Sequence, residues 1–318
     1  MRFSVLICTY NRAASLGRTL ASLEALEYPG AHEVVVVDNR SADDTERVVR
    51  TFADKMSVPV TYLRENRAGK SFALNAGIAV CSGEFVAFTD DDAIPDKMWL
   101  TALESAFEEH QADWVFGPVV PGWERGAPSW FSPRLNGMFA LLDYGDRPFV
   151  VTERRHEFAG VNAAVRQSAL CTLGRYRTDL GPTTALGGGG EDTDMFDRAV
   201  AAGQRIVYAP AVRVTHVIPA QRASRAFHRR RMLAGREQNY RLVASDTSRV
   251  PRICGVPRFH FRLAIDDLAG FAKATVSGDR GRAFEHELRL IRFGTILQQA
   301  IRARLRTSIS PPPVKVKR

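Results

Sequence analysis

The carboxylates Asp90, Asp91 and Asp92 stand side by side directly after the apolar run Glu84-Phe-Val-Ala-Phe-Thr89. Three adjacent negative charges repel one another, so keeping them together requires a counter-charge. A hard divalent cation with oxygen ligands supplies one, and a bound diphosphate can complete its coordination. The bland alternative is a solvated turn or a helix N-cap, where Asp is common. Asp38 ends a second apolar run, Val34–Val37, and opens Asp38-Asn39-Arg40-Ser41-Ala42-Asp43-Asp44-Thr45. A carboxylate at the carboxyl end of a strand can accept a hydrogen bond from a base imide or a ribose hydroxyl. Ser41 or Asp43 suits the cap of the next helix, which leaves Asp38 without a structural task.

Farther along, Glu191-Asp192-Thr193-Asp194 follows the glycine run Gly187–Gly190. The glycines let the backbone approach a ligand closely or let the loop move. Acidic residues at a helix start are stabilised by the helix dipole; one that reaches a substrate hydroxyl is instead a general base. His216 closes Val212-Arg-Val-Thr-His216. A lone His is more often packed or at the surface, and it gains standing as a ligand only beside the acidic groups. Arg67-Ala-Gly69-Lys70-Ser71 looks like the end of a P-loop, but that pattern needs Gly at position 64, where Arg64 stands. Lys70 remains either a phosphate contact or a solvated side chain.

These residues need elements that position them. Strand signals over Phe3–Tyr10, Glu33–Asp38, Val58–Leu63, Glu84–Thr89 and Asp113–Gly117 alternate with helix signals over Ala13–Leu26, Asp43–Phe52, Ser71–Val80 and Lys97–Glu109. The alternation predicts an α/β fold with a mainly parallel sheet, right-handed crossovers and flanking helices. Ligands of such sheets sit beyond the strands' carboxyl ends, where Thr9 to Arg12, Asp38 and Asp90 to Asp92 fall. Residues 118–157, rich in Pro, Gly and Trp, read as a long connection that suits a substrate flap. A strand-like Glu157–Arg166, a helix at Asp192–Ala202 and a strand pair around Arg205–Val217 follow.

The 318 residues are 45% hydrophobic and 25% charged, which excludes wholesale disorder. No apolar run reaches the ~18 residues of a spanning helix, and Met1 leads almost directly into an apolar run without the features of a secretory leader. Four scattered cysteines form no CxxC pair, consistent with reduced thiols and a cytoplasmic setting. Residues 220–318 carry 22 Lys and Arg against 7 Asp and Glu, a balance of +15; residues 1–219 carry 22 against 28, a balance of −6. Only the basic, helical carboxyl-terminal third invites an anionic partner. Over residues 281–306, Phe284, Leu288, Ile291, Leu297 and Ile301 share a helical stripe flanked by arginines. Such a helix can lie on an anionic membrane surface or pack on the rest of the protein, and nucleic acid is the least favoured partner. The end, from Pro311, reads as a frayed tail.

The order Thr9-Tyr-Asn11-Arg12, Asp38-Asn39-x-Ser41-x-Asp43-x-Thr45, Gly69-x5-Asn75-x-Gly77, Asp90-Asp91-Asp92, Gly160-x-Asn162, Glu191-Asp192-x-Asp194 and His216 resembles the family 2 glycosyltransferases of GT-A fold, over about residues 1–217. The resemblance implies inverting transfer of one sugar from a nucleotide sugar, a UDP-sugar above all, with Mn or Mg. It assigns Thr9, Asn11, Arg12, Asp38, Lys70, Asn75, Asp90, Asp91, Gly160, Asn162 and Glu191 to donor binding. Asp92 and His216 fall to the metal, and Asp192 to the catalytic base. With the basic helical region (221–318) beyond it, the matched part divides into a donor-binding part (1–117) and an acceptor-binding and catalytic part (118–220). The implied acceptor is a glycan or lipid-linked glycan, met in the cytoplasm or at the inner face of the membrane. The later Gln-x-x-Arg-Trp motif of processive relatives is not found. Two rivals are a sugar-phosphate nucleotidyltransferase, which shares the sheet architecture but starts with a Gly-rich loop, and a non-catalytic nucleotide-sugar-binding protein.

Overall fold

The computed structural model describes residues 1–182, 189–244 and 250–309. Gly187 and Gly188 of the glycine run and the tail from Pro311 lie outside the described residues. The chain forms two compact units, one of Met1–Gly126 with Asn136–Ala220 and the other of Ala127–Leu135 with Gln221–Arg318.

The first unit runs β1 (Phe3–Thr9), α1 (Ala13–Glu24), β2 (His32–Asp38), α2 (Thr45–Ala53), β3 (Val60–Arg64), α3 (Lys70–Ile78), β4 (Phe85–Asp90), β5 (Ala93–Pro95), α4 (Trp99–His110), β6 (Trp114–Phe116), β7 (Val119–Trp123), β8 (Phe149–Val150), β9 (Asn162–Arg166), α5 (Gln167–Leu173), α6 (Glu191–Ala201), β10 (Ile206–Tyr208) and β11 (Val214–Ile218). Eight strands make one sheet in the order β3-β2-β1-β4-β9-β6-β10-β8. Pairing is parallel from β3 to β4. β9 runs antiparallel between β4 and β6, and β8 antiparallel to β10. All seven residues of β2 are buried, as befits a strand covered on both faces.

The predicted elements therefore form, with ends shifted by a few residues, and three readings change. The connection at 118–157 contains two strands, and its residues Ala127–Leu135 belong to the second unit. β7 pairs with β11, which also pairs with β5, in a separate three-stranded sheet. The two strands near Arg205–Val217 accordingly do not pair with each other, because β10 joins the large sheet and β11 the small one.

The register places the chemistry. Thr9 lies opposite Asp38, and Cys8 opposite Asp90, so three strands end at one level. α3 then has to press close to β1 and β2 to bring its first residue, Lys70, over those ends. Gly77 allows this: a Cβ there would stand 2.3 Å from a Leu6 methyl and 2.9 Å from one of Val37, both in the close-packed core.

The second unit holds α7 (Arg225–Ala234), α8 (Arg236–Ala244), a two-stranded sheet of β12 (Arg252–Ile253) and β13 (Val256–Pro257), α9 (Arg258–Val276) and α10 (Arg280–Ile309). Val243, Val256, Ile296 and Ala300 form a buried core there. Phe284 stacks edge-on against Trp130 at 4.8 Å. The stripe of α10 thus turns inward along much of its length, with Phe284 and Leu288 buried.

Gly77→Ala tests the packing. Better helix propensity stabilises Ala by at most ~1 kcal/mol, whereas overpacking a full core costs about 1–3 kcal/mol. The variant is expected to melt several degrees lower; an equal or higher Tm contradicts the tight approach.

Candidate active site

The carboxylate triplet meets its counter-charge within the chain. Arg12 Nη1 donates to Asp91 Oδ1 and to Asp92 Oδ2, both at 2.8 Å, and Thr9 Oγ1 donates to Asp91 Oδ2 at 2.7 Å. Asp91 and Asp92 are buried. Burial pushes the Asp91 carboxyl up to about 6, with Arg12 opposing and Asp92 adding. Asp90 turns away from this pair, and its Oδ1 accepts from Lys70 Nζ at 2.8 Å. The triplet is neither a solvated turn nor a simple cap.

β5 and β11 pair antiparallel, with His216 opposite Ala93, and this carries the imidazole to Asp92. His216 Nδ1 lies 2.6 Å from the Phe139 carbonyl. A carbonyl only accepts, so this nitrogen carries the proton. Nε2 faces Asp92 Oδ1 at 3.1 Å, where either a second proton or a shared cation must lie between two lone pairs. A carboxylate oxygen and an imidazole nitrogen suit Mn. Among the described residues no group of three or more His, Cys, Asp or Glu is arranged to hold a cation. Two protein ligands fit a cation that takes its remaining ligands from water and substrate phosphate.

A second cluster sits on the other side of Lys70. Asp192, in the first turn of α6, accepts from the Gly160 amide at 3.0 Å. A Cβ at Gly160 would stand 2.6 Å from both Asp192 carboxylate oxygens, so a larger residue there would push the carboxylate from this position. Asp192, Lys70, Asp90, Gly160, Tyr176 and Cys8 line one small cavity. Burial acts against the Lys70 charge, yet Asp90, Asp192 and Glu191 outweigh it and hold the ammonium well above its ordinary range. Burial raises the Asp192 carboxyl, with Lys70 opposing and Asp90 adding. Glu191 is pushed up to about 7 by burial and by Asp192, again against Lys70. Asp194 is differently placed, bonded to Arg198 at 2.9 Å and 3.5 Å from Arg177.

Several expected donor contacts are occupied by the chain itself. Asp38 is fully buried, and its carboxylate accepts from Ser41 N, Tyr62 Oη and Arg64 Nη1 at 2.7, 2.7 and 3.1 Å. Asn11, at a φ of 52°, accepts from the Ala42 amide. Asn75 exchanges two bonds with the backbone of Tyr176. Asn162 accepts from Trp99 Nε1 and donates to the carbonyls of Pro118 and Val212. Thr9, Arg12, Lys70, Asp90, Asp91, Asp92, Gly160, Glu191, Asp192 and His216 gather around the strand ends; Asn75 and Asn162 brace the walls. Asn39 was not singled out from its residue type, although it anchors the turn before α3: it donates to Glu65 O and Arg67 O and accepts from Gly69 N. Its sequence signal is its place in the run Asp38-Asn39-x-Ser41.

Residues 4–174, more than half of the chain, match the family described as Glycosyl transferase family 2. The chain belongs to this family. It is 30% identical over 241 residues to the succinoglycan biosynthesis protein ExoM of Rhizobium meliloti, covering 75% of this chain and 74% of the relative. The mannosyltransferase PcManGT of Pyrobaculum calidifontis, solved with GDP-Man and Mn2+, superposes with a TM-score of 0.55 at 22% identity, over 98% of this chain and 76% of that one. TarS 1-349 of Staphylococcus aureus, solved with UDP, gives 0.54 at 20% identity, over 92% and 90%. These two likenesses establish the GT-A fold. The protein is a glycosyltransferase, and the nucleotidyltransferase and non-catalytic readings fall away.

The Glu191 environment gives this transferase a pH signature. A buried acid that keeps its proton up to about 7 when folded, and only to the ordinary carboxylate range when unfolded, destabilises the fold as it ionises. Relative to Glu191→Gln, the parent is expected to lose stability as pH rises from the ordinary glutamate value to about 7, by on the order of 1–3 kcal/mol. Denaturant melts at several pH values check this, and parallel curves for the two proteins would refute it.

Proposed function

We propose that this transferase inverts the anomeric centre, moving one sugar from a UDP-sugar to a hydroxyl of a glycan or lipid-linked glycan, with a divalent metal, Mn or Mg. The observation that carries the reading is Asp192. It is a buried carboxylate with a raised pKa, fixed by the Gly160 amide and lining the same cavity as Lys70 and Asp90. That is the environment of a general base.

In the proposed step the acceptor hydroxyl gives its proton to Asp192 as its oxygen forms a bond to the anomeric carbon. The bond from that carbon to the phosphate oxygen breaks on the opposite face, and the electron pair leaves with the nucleoside diphosphate. Asp92 and His216 would hold the metal, which when bound supplies charge stabilisation to the leaving diphosphate. Arg12 and Lys70 orient the carboxylates and keep positive charge at the strand ends, where Thr9, Asn11 and Asp38 border the nucleotide. Because Arg64 and Tyr62 already hold Asp38, a base imide would reach it only by sharing or displacing one of them. Support for a polymeric acceptor comes from two relatives: ExoM, named for succinoglycan biosynthesis, and TarS, named a poly(ribitol-phosphate) beta-N-acetylglucosaminyltransferase.

Asp192→Asn keeps size and hydrogen bonding but removes the proton acceptor. Transfer is expected to fall by ~10²-fold or more, with UDP affinity nearly unchanged. Asp194→Asn, at a residue already ion-paired, is expected to retain most activity. An Asp192→Asn enzyme that transfers at the parent rate would remove this carboxylate from the mechanism.

A further inference from the structure

The apolar surface most open to solvent in the second unit lies on α9. Ile265, Leu268 and Val276 are 67%, 60% and 90% exposed, and Ala269 and Ala272 are exposed with them. At 3.6 residues per turn these five fall within about 100° of the helix circumference, along a helix ~28 Å long. The opposite side carries the packing, through buried Asp267 and Ala274. Asp267 is bound to His286 of α10 at 2.8 Å.

Charge identifies what covers this face. Exposed Arg262 and Lys273 run along one edge, and Arg258 stands at the helix start. Among the described residues neither Arg262 nor Lys273 pairs with a carboxylate, and Asp266, beyond them, is the one acidic residue exposed on α9. On α7 and α10 some basic residues pair within the unit, Arg229 with Glu287 and Arg289 with Glu285 and Asp267, while Arg230, Arg292 and Arg302 are exposed; on α9 the exposed cations flank an exposed apolar strip. A second copy packed on the same face would bring like charges together. Nucleic acid would leave the apolar strip unmatched. No described helix is long and apolar enough to cross a membrane.

We infer that α9 lies flat on an anionic phospholipid surface, with Ile265, Leu268, Ala272 and Val276 seated among the acyl chains and Arg262 and Lys273 on lipid phosphates. The surface-binding element is therefore α9 rather than the inward-turned stripe of α10. This inference is independent of the transfer chemistry.

Flotation of the full chain with phosphatidylcholine vesicles, with and without phosphatidylglycerol, tests it. The parent is expected to float with the anionic vesicles and to be released by high salt. Ile265→Ser combined with Leu268→Ser, and separately Arg262→Gln combined with Lys273→Gln, should each lower partitioning about tenfold or more. Leu233→Ser, at an exposed position of α7, should not. A parent that ignores anionic vesicles overturns the inference, as does undiminished binding by both double variants. A parent dimer that Ile265→Ser with Leu268→Ser converts to monomer would assign the face to a second copy instead.

Discussion

Four carboxylates, Asp90, Asp91, Asp92 and Asp192, crowd the carboxyl ends of β1 and β4 and the start of α6, and two cations hold them there. Arg12 spans Asp91 and Asp92; Lys70 binds Asp90 and acts on Asp192 and Glu191. Removing either cation would leave buried charge uncompensated, which is far costlier than losing a surface ion pair. Much of the surrounding architecture serves this arrangement. Gly77 lets α3 approach the sheet, Asn39 fixes the turn before it, and Gly160 leaves room for the Asp192 carboxylate. β9, inserted antiparallel between β4 and β6, follows directly on the loop that carries Gly160.

The two cations divide the site. On the Arg12 side, Asp92 Oδ1 and His216 Nε2 face each other at 3.1 Å. On the Lys70 side, burial raises the carboxyls of Asp192 and Glu191. Lys70 thereby stands between the buried carboxyl of Asp192 and the Asp90 end of the triplet, and the proposed proton acceptor and the proposed metal ligands fall in different clusters.

Much of this was legible in the residues. The Val34–Val37 run, the triplet after an apolar strand and the acidic start of α6 each point to the right end of the sheet. Strand direction was less so, because periodicity does not encode it: β9 runs antiparallel and β10 and β11 belong to different sheets. β7 and β8 were hidden in a segment whose prolines and glycines read as connection. Sequence spacing could not tell Asp192 from Asp194, since only the fold shows one against the Gly160 amide and the other tied to Arg198. Nor could it show that Arg12 and Lys70 supply the triplet's counter-charge, or which side of α10 is packed.

In the proposed mechanism the strand-end carboxylates receive a nucleotide through a divalent cation. Calorimetric titration of the transferase with UDP, first with Mn and then with a chelator, tests it most directly. Affinity is expected to be at least about tenfold weaker without metal, a difference of about 1.4 kcal/mol, with the same loss in Asp92→Asn when Mn is present. Equal affinity in the two conditions would contradict it.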